Sequence, residues 1–91
     1  MAAIIKKAIV KGRVQGVFYR ASTREKALSL ELCGYAKNLS DGSVEVLAQG
    51  EGDKVEELMQ WLWTGSPASD VSAVTLLETV EEPGFTSFTT A

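Results

Sequence analysis

The sequence contains no histidine and only one cysteine, Cys33. Without histidine there can be no Ser-His-Asp or Cys-His catalytic arrangement, no imidazole acid–base step and no histidine metal site. A lone cysteine cannot form an internal disulfide, and an unpaired thiol suits a reducing compartment. Basic residues are in deficit as well. Nine Lys and Arg face twelve Asp and Glu, for a formal charge of −3. Nucleic-acid binders usually carry a basic surplus that neutralises phosphates, so no nucleic-acid partner is expected. Any phosphate bound here has to be held by a few placed donors. Long apolar runs are missing too, because Lys6, Lys7 and Lys11 interrupt those near the N-terminus. Neither a signal-peptide core nor a membrane-spanning helix is expected. These absences lead us to expect a cytoplasmic monomer.

What is present suits one small core. The chain has 91 residues, 45% of them hydrophobic, and residues 1–91 read as a single domain. Ile4 to Val14 is rich in Ile and Val interspersed with Lys and Arg and reads as a strand. Gln15 to Arg20 is a short connection. Ser22 with Glu25 has capping-box spacing, so a helix is expected to open there, with Ala27, Leu28, Leu30 and Leu32 as its apolar side and Gly34 as its stop. Tyr35 to Ser40 reads as a second strand, Asp41-Gly42 as a tight hairpin pair, and Ser43 to Gln49 as a third strand. Over Asp53 to Thr64, Val55, Leu58, Met59 and Leu62 recur at helical spacing. Gly65-Ser66-Pro67 ends that helix. Val71 to Val80 reads as a fourth strand, Pro83-Gly84 as a turn, and Phe85 to Thr90 is a candidate short fifth strand.

The order strand, helix, strand, strand, helix, strand favours an α+β fold. The right-handed crossover rule interlocks the two halves into a ferredoxin-like βαββαβ sandwich. Its antiparallel sheet is expected in the order 4-1-3-2, with both helices on one face. The first and second strands then run parallel to each other. Arg20, just past the first, and Asn38, late in the second, are brought to one rim.

Two segments carry candidate chemistry. Gly12-Arg13-Val14-Gln15-Gly16-Val17-Phe18-Tyr19-Arg20 joins a strand to a helix N-terminus, where unpaired backbone N–H groups and the helix dipole favour an anion. Arg20 adds a planar fork that matches two phosphate oxygens. The segment lacks the Gly-Lys-Ser/Thr element of a Walker loop and the dinucleotide GxGxxG. Spacing alone leaves two readings of equal standing: a phosphate cradle, or a plain turn with Arg20 in solvent. In Gly34 to Val44, the default reading of Asn38 alone is an Asx-type backbone bond, and Asp41 serves the turn.

Taken together, GRVQGVFYR and GYAKNLSDGSVEVLAQG resemble the two signatures of the acylphosphatase family, in the right order and at the right separation. The resemblance runs from about Ile4 to Val80. It implies hydrolysis of the carboxyl–phosphate anhydride of acyl phosphates to a carboxylate and inorganic phosphate, with no metal or organic cofactor. It also implies that the loop of Gln15, Gly16, Val17, Phe18, Tyr19 and Arg20 wraps the phosphate with backbone amides. Arg20 then binds the phosphate and supports the rate, and Asn38 positions the water. The expected partners are a small acyl phosphate and inorganic phosphate as product and inhibitor. The chemistry fits the inventory. An asparagine amide has no basic site of suitable pKa, but it can accept a hydrogen bond from water and fix its approach. A carboxylate leaves without a general acid, and phosphoryl transfer is largely positioning and charge stabilisation.

Two positions depart from the family pattern: the ending FTSFTTA lacks a basic-aromatic close, and Glu31 stands where glycine is common. An alternative from another class is a catalytically idle anion-binding or regulatory module on the same fold, although a mere binder needs no water-positioning asparagine. An RNA-binding module would need exposed aromatics in the RNP pattern, which KGRVQGVFYR lacks. Lys11 and Arg13 read as solvated strand charges rather than steering groups. Trp61 and Trp63 read as packing residues, Glu56-Glu57 and Glu81-Glu82 as surface carboxylates, and Cys33 as a small buried side chain.

Overall fold

The computed structural model describes residues 3–77 and 85–91. Seven elements follow the chain: β1 (Ala3–Arg13), α1 (Tyr19–Ser29), β2 (Cys33–Asn38), β3 (Val44–Glu51), α2 (Gly52–Trp61), β4 (Asp70–Leu77) and β5 (Phe88–Thr90). The sheet order is β4-β1-β3-β2-β5. The first four strands pair antiparallel, and β5 lies parallel to β2 at the edge. This is the ferredoxin-like α+β sandwich expected from element order, with the short fifth strand realised over three residues.

Alternation along the strands divides the sheet into two faces. Ala8 and Val10 of β1, Val44, Val46 and Ala48 of β3, Ala36 of β2 and Phe88 of β5 are fully buried in one cluster. Both helices close over that face, α1 through Tyr19 and Ala27, α2 through Val55, Leu58 and Met59, with Leu62 just beyond. The α2 stripe is the one its spacing indicated. The buried side of α1 differs from expectation. It runs Tyr19-Thr23-Ala27, while Leu28 is 43% exposed and Leu32 enters the core from beyond the helix. Thr23 can be buried because its hydroxyl donates to the Tyr19 carbonyl at 2.7 Å.

The helix boundaries correct two expectations. The capping-box reading of Ser22 and Glu25 fails: α1 opens at Tyr19, its N-cap Phe18 makes no side-chain cap, and the Ser22 N–H already donates to the Phe18 carbonyl at 3.0 Å. Nor does Gly34 end the helix. The end is a Schellman motif, in which the Leu32 N–H reaches the Ala27 carbonyl at 2.9 Å and the Glu31 N–H reaches Leu28 at 3.0 Å. Glu31 takes the left-handed position, φ 59°, that glycine usually fills. Gly34 lies inside β2, where a β-carbon would stand 1.9 Å from the Leu47 carbonyl oxygen of the neighbouring strand.

The β2–β3 connection is longer than the two-residue hairpin expected. Leu39 accepts from the Gly42 N–H at 3.2 Å, which makes Ser40 and Asp41 the central residues, and only Gly42 has positive φ. Asp41 Oδ1 accepts from the Ser43 N–H and hydroxyl, and these bonds hold its carboxyl below the usual aspartate range. The expected end of the fourth strand at Val80, the Pro83-Gly84 turn and Glu81-Glu82 lie outside the described residues. Trp61 packs on the core, whereas Trp63 is 52% exposed. Cys33 is half-buried. Glu56 and Glu57 pair with Lys6 and Lys26 on the surface.

Candidate functional site

The segment between β1 and α1 is shaped by two left-handed residues, Gly16 at φ 74° and Phe18 at φ 61°. Residues of alternating hand turn successive peptide N–H groups toward one side and form an anion-binding concavity. Because α1 has no side-chain cap, its first N–H groups are left for a ligand. In front of this loop is a cavity of about 480 Å³, lined in part by Gly16, Phe18, Tyr19 and Arg20 from the loop and Arg24 from the next turn.

Three side chains, making four hydrogen bonds, hold the loop in place. The Gln15 amide Nε2 donates to the Leu39 carbonyl at 2.8 Å and to the Ser43 carbonyl at 2.9 Å. It thereby bolts the loop to the connection that follows Asn38. The buried Ser66 hydroxyl donates to the Val17 carbonyl at 2.7 Å. The Tyr19 hydroxyl donates to the Leu62 carbonyl at 2.8 Å, and its burial raises the phenol pKa far above the ordinary value. Tyr19 therefore offers the site its backbone, while its ring and hydroxyl belong to the core.

Arg20 and Asn38 meet at one atom. The carbonyl oxygen of Ala91 accepts from Arg20 Nη1 at 2.7 Å and from the Asn38 N–H at 3.2 Å. The Ala91 N–H in turn donates to the Ala36 carbonyl at 3.0 Å, extending the β5–β2 pairing. One bond uses one of Arg20's five N–H donors and leaves the rest for an anion. Asn38 does not line the 480 Å³ cavity; it joins Arg20 through the shared acceptor. Among the described residues, its side-chain Oδ1 is the one buried side-chain polar atom with no hydrogen-bond partner. The default reading of Asn38, an Asx-type bond to its own turn, is thus not what that oxygen does. A buried acceptor without a donor costs about 1–3 kcal/mol, which marks a place where a donor such as water is expected.

The expected site residues are therefore brought together along one rim, with Arg24 and the Ala91 carbonyl added. Arg24 Nε donates to the Phe88 carbonyl at 3.2 Å. The i, i+4 spacing of Arg20 and Arg24 was a readable signal for a shared face. The part played by a main-chain oxygen of Ala91, just past β5, had no signal in residue type. Lys11 and Arg13 are exposed. Among the described residues, no group of three or more His, Cys, Asp or Glu could hold a metal ion, and no helix is long and apolar enough to cross a membrane.

Comparison with known proteins bears on the family and the fold. Residues 6–90 match the family model described as Acylphosphatase. A relative named acylphosphatase from Xanthomonas campestris is 61% identical over 67 residues, covering 74% of this chain and 76% of the relative. The structure of an acylphosphatase from Coxiella burnetii superposes with a TM-score of 0.91 at 44% identity, covering 98% of this chain and 93% of that one. The acylphosphatase from Bacillus subtilis also gives 0.91, at 32% identity and 99% coverage of both chains.

Proposed function

This chain belongs to the acylphosphatase family, and from that premise we propose that Arg20 and the amides of residues 15–20 seat the phosphate while Asn38 places the attacking water. The reaction is hydrolysis of the carboxyl–phosphate anhydride of an acyl phosphate. The idle binding module is set aside, since the relatives are enzymes of that name at high identity.

The proposed sequence of events uses groups already on the page. The phosphate enters the concavity between Gly16 and Arg20, where backbone N–H groups and the Arg20 guanidinium face its oxygens. A water donates one hydrogen bond to Asn38 Oδ1 and so has its oxygen lone pair turned toward phosphorus. The new P–O bond forms from water, and the bond from phosphorus to the acyl oxygen breaks. The carboxylate departs with the electron pair and needs no proton. One water proton passes to a non-bridging phosphate oxygen and the other stays on the new hydroxyl, so the products are a carboxylate and inorganic phosphate. Arg20 and the amides stabilise charge that spreads over the equatorial oxygens. The Ala91 carbonyl keeps the two side chains in register by holding Arg20 and the backbone of Asn38 at once.

The observation that carries this reading is the buried Asn38 Oδ1, without a hydrogen-bond partner among the described residues, on a residue whose backbone N–H shares the Ala91 acceptor with Arg20. The test is phosphate release from acetyl phosphate by wild type and Asn38→Ala, with inorganic phosphate affinity measured by calorimetry on both. Slow release with intact phosphate affinity is the expected outcome. Release at the wild-type rate would remove Asn38 from the mechanism. We further read the chain as one domain over residues 1–91, acting as a cytoplasmic monomer on a small-molecule substrate without cofactor or nucleic acid. The absence of histidine, the single thiol and the acidic balance support that reading.

A further inference from the structure

Ser66 stands in the sequence as part of the Gly65-Ser66-Pro67 stop after α2, yet its side chain serves a distant segment. The residue is 3% exposed, and its hydroxyl donates to the Val17 carbonyl at 2.7 Å. Its own place is fixed as well, since the Ser69 N–H and hydroxyl both donate to the Ser66 carbonyl, at 3.0 Å and 2.6 Å. In a planar trans peptide the C=O of one residue and the N–H of the next point in opposite directions. Holding the Val17 oxygen on the buried side therefore sends the Phe18 N–H the other way, toward the cavity that Phe18 lines. Among the described residues that N–H has no acceptor.

Left to itself, the 17–18 peptide has cause to turn over. Phe18 has φ 61° and ψ 21°. Turning the plane by about 180° would carry that φ to about −119°, which an L-residue prefers to the left-handed region. The next plane stays put, because the Phe18 carbonyl accepts from the Ser22 N–H at 3.0 Å in the first turn of α1. The turned peptide would aim the Val17 oxygen at the site and withdraw an N–H from it. We propose that Ser66 is a positioning residue for the reaction: its hydroxyl latches the 17–18 peptide against that turn and keeps the Phe18 N–H aimed at the phosphate. The inference rests on the seating of the phosphate by the amides of residues 15–20. Removing the hydroxyl would also leave the Val17 oxygen unpaired on the buried side, a second push toward the turned form. The latch comes from the connection between α2 and β4, 49 positions along the chain from Val17.

The experiment measures inorganic phosphate affinity by calorimetry, and kcat/KM for acetyl phosphate, in wild type, Ser66→Ala, Phe18→Gly and the double variant. Ser66→Ala leaves only a fraction of molecules with the site-facing amide, and apparent affinity falls with that fraction. A loss of about tenfold in phosphate affinity is expected, with kcat/KM falling alongside. Glycine takes positive and negative φ about equally, so at residue 18 it removes the pull that turns the plane. Ser66→Ala made in the Phe18→Gly background should therefore cost only about twofold. A hydroxyl that merely braced the fold would cost the same in both backgrounds. Equal losses overturn the proposal, and so does a Ser66→Ala protein that binds phosphate as wild type does. Amide NMR of wild type gives a reading that needs no variant. Phosphate should shift the Phe18 N–H together with its neighbours in residues 15–20. Shifts at those neighbours with none at Phe18 overturn this inference alone. Shifts at none of residues 15–20 sink the reading of the site, and this inference with it.

Discussion

Replacing Glu31 with glycine should make this protein more stable, and the Schellman motif at the end of α1 allows the gain to be worked out. Glu31 sits at the position after the C-cap, with φ 59°. The flanking bonds, Leu32 N–H to Ala27 and Glu31 N–H to Leu28, are both well made, so the motif's only defect is the β-carbon in the left-handed region. That defect costs roughly 1–2 kcal/mol for an L-residue. Glycine returns part of it, roughly 0.4–1 kcal/mol, as greater freedom of the unfolded chain. The ion pair with Lys54 at 3.2 Å is lost, but Glu31 is 83% exposed and such pairs contribute little. The net is a stabilisation of roughly 0.5–1 kcal/mol, or a rise in Tm of about 2–8 °C for a domain of this size. The assay is thermal and urea unfolding of wild type, Glu31→Gly and Glu31→Ala. Alanine removes the same ion pair and keeps the β-carbon, so it should sit at or slightly below wild type. In both variants Lys54, whose pKa is raised first by its hydrogen bond to Glu31, should fall back toward the ordinary lysine value. Urea m-values should not change. If Glu31→Gly melts no higher than Glu31→Ala, backbone strain at residue 31 is not a term in the stability and the reasoning is wrong.

Other expectations concern the site. Arg20→Lys keeps the charge but loses the two-pronged fork and the bond geometry to the Ala91 carbonyl. Turnover should drop on the order of 10²-fold or more while the melting curve stays close to wild type; near wild-type kinetics would mean that Arg20 is not the phosphate ligand. Asn38→Ala should lower kcat by roughly 10²-fold and leave phosphate affinity intact, and Asn38→Asp should lose both, with binding partly recovered in high salt as repulsion is screened. Inorganic phosphate and sulfate should inhibit competitively and raise the Tm over the same concentration range, since both bind the folded state; a Tm that ignores phosphate at inhibitory concentrations would speak against the cradle at residues 15–20. Full activity is expected in excess EDTA, because the chain has no histidine and its cysteine stands alone; loss of activity restored by one added metal would contradict it.

Much of this molecule was legible in its residues, for reasons that are local or nearly so. Strand alternation and the Val55-Leu58-Met59-Leu62 stripe follow from side-chain period, and element order with the handedness of crossovers leaves few topologies. The two signature segments named the candidate residues because particular side-chain types recur at particular separations. Helix termini were less legible. Both ends of α1 rest on left-handed residues, Phe18 and Glu31, whose types disfavour that conformation, so propensity pointed to Ser22 and Gly34 instead. Only the fold could place a strained residue there, since surrounding bonds over-determine the backbone.

The arrangement of the site is likewise a tertiary decision. Gln15 holds the loop to carbonyls 24 and 28 residues away, and Ser66 holds it from 49 away. Arg20 and Asn38 share an acceptor contributed by Ala91, 71 residues beyond Arg20. A main-chain carbonyl has no side-chain identity, so no residue pattern announces it. Its position is set by the parallel pairing of β5 with β2, a long-range contact that exists only once the core closes over Phe88. The residue types determined which groups this protein could use for chemistry. The sheet edge determined which of them meet, because hydrogen bonds between distant segments are specified by packing geometry and not by any segment's own sequence.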